Sequence, residues 1–393
     1  MTRRELERRL LDFVNRTLLA SDPDRAADAG TALFEEGIVT SLRILDLIAF
    51  VENATGVKVP DDAVRLANFG SVRAIAAAFG DGSREDRART VPPEEGAVLR
   101  LFARRAERAG FARPLAELES RGELVMPAPG RAVLRGMPLG LLRGFDSVVQ
   151  GWAGELGAES RRFPRRIPID ALERAGRASR PTSADRIVPP AVCYHVYPAW
   201  QGRRLTGRPA LVTARGRCFR EERSVAPLER LRDFEMREIV ALGSREEVES
   251  FRHGLIARVS DLVARLELEG RIETASDPFF VQEPAAAPAA ERAGLKGRGL
   301  MQQVLPLKYE LRLALDASGY DCAVASFNHH LDFFGRRFDI RLASGAPAHS
   351  GCVAFGLERW VLAFLSQHGT DPRRWPDAAR ELRAREEAHA RLA

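Results

Sequence analysis

The change of pattern across residues 80–96 constrains this chain more than any other feature. That stretch, GDGSREDRARTVPPEEG, is charged, carries Gly and Pro, and has no apolar periodicity, so it reads as a linker. Ahead of it every periodic segment has the spacing of a helix; behind it short β-rich pieces predominate. A chain of 393 residues is long enough for two or three cores at roughly 100 to 200 residues each. The pattern predicts a domain over residues 1–80, a linker and helix over 81–115, and a larger domain over 116–393.

The head is read from its periods. Residues 3–19 place Leu6, Leu10, Phe13 and Thr17 on one face. After Thr40 and Ser41, LRILDLIAFVEN offers two apolar stripes, 42/45/48 and 44/47/51, with Ser41 at the N-cap position and Gly56 as a closing C′ glycine. VKVPDD makes a turn, and residues 71–79, SVRAIAAAF, form a last helix. Residues 1–80 hold 10 Lys+Arg against 12 Asp+Glu and the rest 50 against 42, so an acidic head precedes a basic body. That basic excess is spread too thinly to make a phosphate-tracking stripe, and no tRNA partner is expected.

The body alternates unevenly. Strand-like pieces ELVMPAP, AVCYHVYPAW, PALVTARGRCFRE, EMREIVALG, YDCAVASF and RRFDIRLAS surround one strong helix, SREEVESFRHGLIARVSDLVARLELEG, where Ser244 and Glu247 have capping-box spacing. Strands that do not alternate with helices predict an α+β fold with a largely antiparallel sheet. PAAAPAA (284–290) reads as a flexible loop and the last residues as a charged helix. No apolar run approaches the ~20 residues of a membrane helix, and the charged N-terminus is no signal peptide, so a cytoplasmic protein without a membrane partner is expected. Cys193, Cys218, Cys322 and Cys352 lie far apart, which leaves packing or metal ligation and not a disulfide framework.

The segment LFEEGIVTSLRILDLIAFVENATGVKVPDD resembles an acyl or peptidyl carrier protein, through Phe79. The resemblance implies a four-helix carrier domain with 4′-phosphopantetheine on Ser41, attached by a phosphopantetheinyl transferase. A phosphodiester there lies at a helix N-terminus, where free N–H groups and the dipole favour an anion. Thr40 stands where carrier proteins usually have aspartate.

Residues 217–243, RCFREERSVAPLERLRDFEMREIVALG, resemble motif 2 of class II aminoacyl-tRNA synthetases, and residues 356–364, GLERWVLAF, resemble motif 3. A planar Arg220 guanidinium suits the α-phosphate and carboxylate of a reacting amino acid and ATP; Glu222, two residues on and on the same strand face, suits the adenine amino group. Phe234 offers adenine a stacking surface, and Arg359 is placed to cover the other face and hold the γ-phosphate. The resemblance implies Mg²⁺ with ATP, but YDCAVASFNHH has no glutamate to hold it and Asp321 is its one carboxylate. His329 and His330, adjacent on a strand, are expected to point to opposite faces.

Cys193, Glu238 and Cys352 match the Cys/Glu/Cys zinc pattern of atypical seryl-tRNA synthetases and of their relatives, the amino acid:[carrier protein] ligases. Three protein ligands leave the zinc a fourth position for an amino group. Cys218 and Cys322 are assigned to packing. The resemblance implies a class II synthetase-type antiparallel sheet flanked by helices, and a homodimer whose interface is set by the segment Asp185–Trp200 in the place of motif 1. It implies that a small amino acid, glycine or alanine, is activated as its adenylate and passed to a phosphopantetheine thiol, in cis on the chain's own head or in trans. The alternatives are a tRNA-charging enzyme of the seryl type and a carrier scaffold with a degenerate synthetase half.

Overall fold

A computed structural model describes residues 1–20, 22, 25–34, 36–40, 43–60, 63–80, 98–103, 110–176, 186–275, 305–380 and 382. The chain divides into two compact units, residues 1–97 with 275–307, and residues 98–274 with 308–393. The division ahead of residue 98 adjoins the linker expected over residues 80–96.

The described part of the first unit is helical: α1 (Arg3–Phe13), α2 (Arg43–Thr55), α3 (Leu66–Phe69) and α4 (Val72–Phe79). Thr2 caps α1 through the Glu5 N–H, and Ser71 caps α4 through the Ala74 N–H, each at 3.2 Å. After α1 the chain widens into a π turn over Val14–Leu18. That turn corrects the expected face: Leu6, Leu10, Val14 and Leu18 are buried at spacings of four, while Thr17 is exposed and Phe13 only half-buried. Four-residue spacing drifts round a normal 3.6-residue helix, and the wider turn restores the phase. In α2 the 44/47/51 stripe is the buried one, and Gly56 ends the helix at φ +71° as its spacing predicts.

The second unit begins with a strand, β1 (Val98–Phe102), where the sequence suggested a helix. Then follow α5 (Pro114–Ser120), β2 (Leu124–Ala128), β3 (Arg131–Leu134), α6 (Gly136–Glu155), β4 (Glu159–Ser160), β5 (Ile167–Pro168), α7 (Ile169–Arg174) and β6 (Arg186–Ile187). A 3₁₀ turn (Val192–His195) runs into α8 (Val196–Ala199), correcting the strand expected from AVCYHVYPAW; it also replaces the helix-and-strand pair expected of an interface motif. The rest is β7 (Ala210–Phe219), β8 (Asp233–Gly243), α9 (Arg245–Arg265), β9 (Gly270–Thr274), β10 (Lys308–Ala314), β11 (Asp321–His329), α10 (Phe333–Arg337), β12 (His349–Gly356) and α11 (Leu357–His368). RRFDIRLAS therefore starts within a helix and is no strand. The 284–290 loop, and residues 381 and 383–393 of the charged tail, lie outside the described residues.

Ten strands form one sheet in the order β1-β9-β10-β11-β12-β8-β3-β2, with β7 on β8 and β4 on β7. All pairings are antiparallel except β3 with β8 and β4 with β7, so the α+β expectation with a largely antiparallel sheet holds. The capping box predicted for α9 is formed in full by Ser244 and Glu247.

Side chains of β8 alternate between the two faces. Ile239 joins Phe327, Val353 and Phe355 in a core covered by α6, α9 and α11, with Phe145, Val259, Trp360 and Phe364 packed into it. On the same face the directly opposed pair Arg215 and Arg237 is neutralised from α6 and from β8 itself. Asp146 receives Arg237 through Nε (2.6 Å) and Nη2 (3.0 Å) and Arg215 through Nη1 (3.3 Å), and Glu235 also pairs with Arg215. Met236 and Glu238 point to the other face, where Met236 packs with Val192, Ala214, Cys218 and Ala354. Among the described residues no helix is long and apolar enough to cross a membrane.

Candidate active site

Glu238 lies at the centre of β8 and Cys352 in β12, one strand over and two residues along, since Glu238 faces Ala354 and Val240 faces Cys352. Both side chains therefore share one face as diagonal neighbours. Cys193 reaches them from the 3₁₀ turn, which Glu238 itself holds: its carboxylate accepts the Val192 N–H at 2.7 Å and the Cys193 N–H at 3.2 Å. The ligand atoms of Cys193, Glu238 and Cys352 all lie within 4.8 Å of one another, and all three residues are buried.

Burial drives the Glu238 carboxyl upward, against the pull of the hydrogen bonds it accepts. The Cys193 thiol is raised well above its ordinary value, first by its hydrogen bond to Cys352, then by burial and by Glu238. Burial thus disfavours charge on Glu238 and Cys193, and a divalent cation beside them would favour it. Tetrahedral zinc with S and O donors places its ligand atoms about 3.5 to 3.8 Å apart, a small closure of the arrangement found here. The donor set, spacing and burial fit a metal ion.

Around this cluster lie His330, already noted in the sequence, and Tyr197, Ser350 and Asn328, which the sequence did not single out. His330 Nδ1 faces Tyr197 O–H at 3.3 Å and Ser350 Oγ at 3.4 Å, and its Nε2 approaches Cys352 Sγ at 3.9 Å. Burial pushes His330 down to about 3, so the ring is neutral at physiological pH. Asn328, directly opposite Cys352, donates from Nδ2 to its sulfur at 3.3 Å, and its buried Oδ1 has no partner among the described residues. His329 turns away to His349 at 3.1 Å, so the two adjacent histidines do diverge. Cys218 and Cys322 pack in apolar clusters, as expected.

The motif 2-like residues adjoin this cluster. β7 ends at Phe219, so Arg220 and Glu222 stand in the loop beyond it, and the expectation of a shared strand face is corrected. Their loop is closed by backbone and side-chain bonds, Arg220 N–H to the Arg232 carbonyl at 2.9 Å and Arg232 Nε to the Glu222 carbonyl at 3.2 Å. Arg220 donates from Nε to the Pro190 carbonyl at 3.1 Å, three residues before Cys193, and its guanidinium lies 5.1 Å over the Phe234 ring. Phe234 and Glu238 are four residues apart on one face, roughly 13 Å along the strand.

Arg359, in the first turn of α11, donates from Nε to the Glu229 carbonyl at 2.6 Å and from Nη1 to the Ala323 carbonyl at 2.8 Å. No carboxylate pairs with it among the described residues. Its neighbour Glu358 accepts the Glu235 N–H at 2.9 and 3.1 Å on its two oxygens, and burial raises its carboxyl to about 7. Asp321 is engaged by Arg271 at 2.6 Å and Arg312 at 2.7 Å, so it is tied into an ion-pair network and not presented to a ligand. Ser41 lies outside the described residues. The structure thus brings Cys193, Glu238 and Cys352 together and sets Arg220, Phe234 and Arg359 on the adjoining elements.

No protein-family model matches the chain. Over 200 residues it is 37% identical to amino acid–[acyl-carrier-protein] ligase 1 of Bradyrhizobium diazoefficiens, a match covering 51% of this chain and 58% of that one. Ligase 2 of the same organism is 39% identical over 202 residues, 51% of this chain and 56% of its own. Type-2 serine–tRNA ligase of Methanothermobacter thermautotrophicus is 34% identical over 150 residues, 38% of this chain and 27% of that one. The chain therefore spans a little over half the length of the ligases it matches. Among solved structures, the M. kandleri seryl-tRNA synthetase, crystallised with A. aeolicus tRNASec, aligns at a TM-score of 0.61 over 80% of this chain and 67% of that one, at 21% identity. The Pyrococcus horikoshii seryl-tRNA synthetase complexed with ATP aligns at 0.59 over 97% and 89%, at 13% identity. Likeness at such identities is one of fold, and the chain accordingly has an α+β, class II synthetase-like fold, similar in sequence over half its length to the amino acid–[acyl-carrier-protein] ligases.

Proposed function

We propose that this chain is an AMP-forming amino acid:[carrier protein] ligase, which activates glycine or alanine with ATP and passes the aminoacyl group to a phosphopantetheine thiol. The observation that carries the reading is the convergence of Cys193, Glu238 and Cys352 on the sheet face that also bears Phe234. Cys193, Glu238 and Cys352 would hold a zinc ion, which would supply a Lewis acid for the substrate amine. Phe234 stacks on adenine, and the span from there to Glu238 suits an extended aminoacyl-adenylate. The substrate carboxylate attacks the α-phosphate, a P–O bond forms and pyrophosphate leaves with Mg²⁺. Arg220 turns from the Phe234 ring to donate to the α-phosphate, where charge gathers in the transition state. The Nη2 edge of Arg359 takes the γ-phosphate. Tyr197, stacked 3.7 Å from Phe334, and His330 crowd the cluster, which favours a small substrate.

The acceptor is a carrier protein, and the chain's own residues 1–80 are proposed for that role with phosphopantetheine on Ser41. Their support is a helix-only described unit in which the Thr40 carbonyl already accepts the first α2 bond, from Ile44 N–H at 2.9 Å. A homodimer then allows each carrier to serve either active site. ATP:pyrophosphate exchange across the proteinogenic amino acids, with and without a chelator, tests the activation step; exchange confined to small amino acids and lost on chelation is expected, and no exchange with any of them ends the reading. Intact mass after coenzyme A and a broad transferase, wild type against Ser41→Ala, tests the carrier. Loading of tRNA in place of a carrier would move the enzyme to the seryl-tRNA synthetase side of its relatives.

A further inference from the structure

The β7–β8 loop is tied down at Glu229 in an unusual way. The Glu229 carbonyl accepts Arg359 Nε at 2.6 Å, and its carboxylate Oε1 accepts the Tyr320 O–H at 2.5 Å. That contact also raises the Tyr320 phenol. The preceding residue, Leu228, sits at φ +58°, while its side chain is buried in the main core. A bulky residue in the left-handed region is uncommon and persists only where its surroundings over-determine it. Here the core holds the Leu228 side chain and the two bonds hold Glu229. Arg359 is in turn fixed by two carbonyls, one on the loop and one on β11, and Nη2 remains without a partner among the described residues.

We propose that Tyr320 and Glu229 form a latch that presets Arg359 for an incoming polyphosphate, making Tyr320 a positioning residue for nucleotide binding. The inference rests on the ATP reading above. Without the phenol–carboxylate bond, the Leu228–Glu229 backbone is free to relax out of its left-handed turn. The Glu229 carbonyl then leaves Nε, and Arg359 keeps one anchor of two. Ordering the guanidinium must be done by the nucleotide, which weakens binding. Tyr320 is 51% exposed, so loss of its hydroxyl leaves the core intact.

The test is calorimetric titration of the full chain with Mg-ATP, together with melting temperature and the KM for amino acid in pyrophosphate exchange. Tyr320→Phe and Glu229→Ala should each weaken Mg-ATP binding about three- to tenfold, the size of one lost hydrogen bond. The double variant should be no worse than the weaker single. Glu229→Gln, whose amide oxygen still accepts from the phenol, should retain binding, and melting temperature and amino-acid KM should not move. Wild-type protein that binds Mg-ATP alongside a Tyr320→Phe variant that binds it equally well overturns the latch. So does a Tyr320→Phe variant that melts earlier and loses both substrates alike. A wild type that binds no Mg-ATP overturns the nucleotide reading, and the latch with it.

Discussion

Glu238 accepts the backbone N–H of Cys193 at 3.2 Å, so the acid of the candidate metal cluster also builds the turn that presents one of its thiols. The two roles separate by substitution. Glu238→Gln keeps an oxygen for one of the two amides and loses the charge, so it should fold, retain Mg-ATP binding, and lose both bound zinc and amino acid activation. Glu238→Ala should do the same and, in addition, lose about 1 to 3 kcal/mol of stability by orphaning the buried amides of Val192 and Cys193. Metal analysis and thermal melts on both variants check this; full zinc content in Glu238→Gln counts against the cluster.

Arg220→Ala should cut pyrophosphate exchange by about 10² to 10³, typical of one lost transition-state donor, with a smaller rise in the KM for ATP. The Pro190 carbonyl and the Phe234 ring, two of the groups it contacts, bear little charge. An unchanged rate would remove Arg220 from the chemistry.

Glu358 predicts a pH dependence of stability. Burial raises its carboxyl to about 7 from 4.5, so the folded state binds the proton more tightly than the unfolded one. The contribution is complete below about 4.5 and is lost as pH rises to about 7, by up to about 3 kcal/mol. Glu358→Gln keeps an acceptor for the Glu235 N–H and removes the titration. Its melting temperature should therefore exceed that of the wild type at pH 8 and converge with it near pH 4.5. Parallel melting curves across that window would refute the assignment.

Asp146→Ala should destabilise the protein by about 3 to 5 kcal/mol, because it strands the buried Arg237 guanidinium. Arg336→Ala, which breaks the solvent-facing pair with Asp332 at 2.6 Å, should leave the melt within error. Denaturant titration of the two variants side by side provides the comparison.

Local patterns were legible where a single segment held all the information. The α9 capping box and the Gly56 stop needed no tertiary knowledge, and Cys193, Glu238 and Cys352 stood out as a set because their positions flank recognisable motifs. Residues 98–102 misled because VLRLFARR has the composition of a helix, and pairing with β9 overrides that preference. Residues 192–199 misled because β-branched and aromatic residues read as strand, while the Glu238 carboxylate captures the Val192 and Cys193 amides and winds the turn. Glu358 was invisible for another reason: its partner is a backbone N–H 123 residues earlier, and no side chain marks that donor.

The Arg215–Arg237 pairing also bears on how the protein folds. Two like charges face each other across the β7–β8 hairpin, an arrangement that opposes its closure as an isolated unit. Within the hairpin Glu235 pairs with Arg215, but the carboxylate that receives Arg237 is Asp146 on α6, 91 residues away. The hairpin that carries the candidate site is therefore a poor folding nucleus by itself, and its zipping is coupled to the docking of α6. Mutations along α6 should then slow refolding.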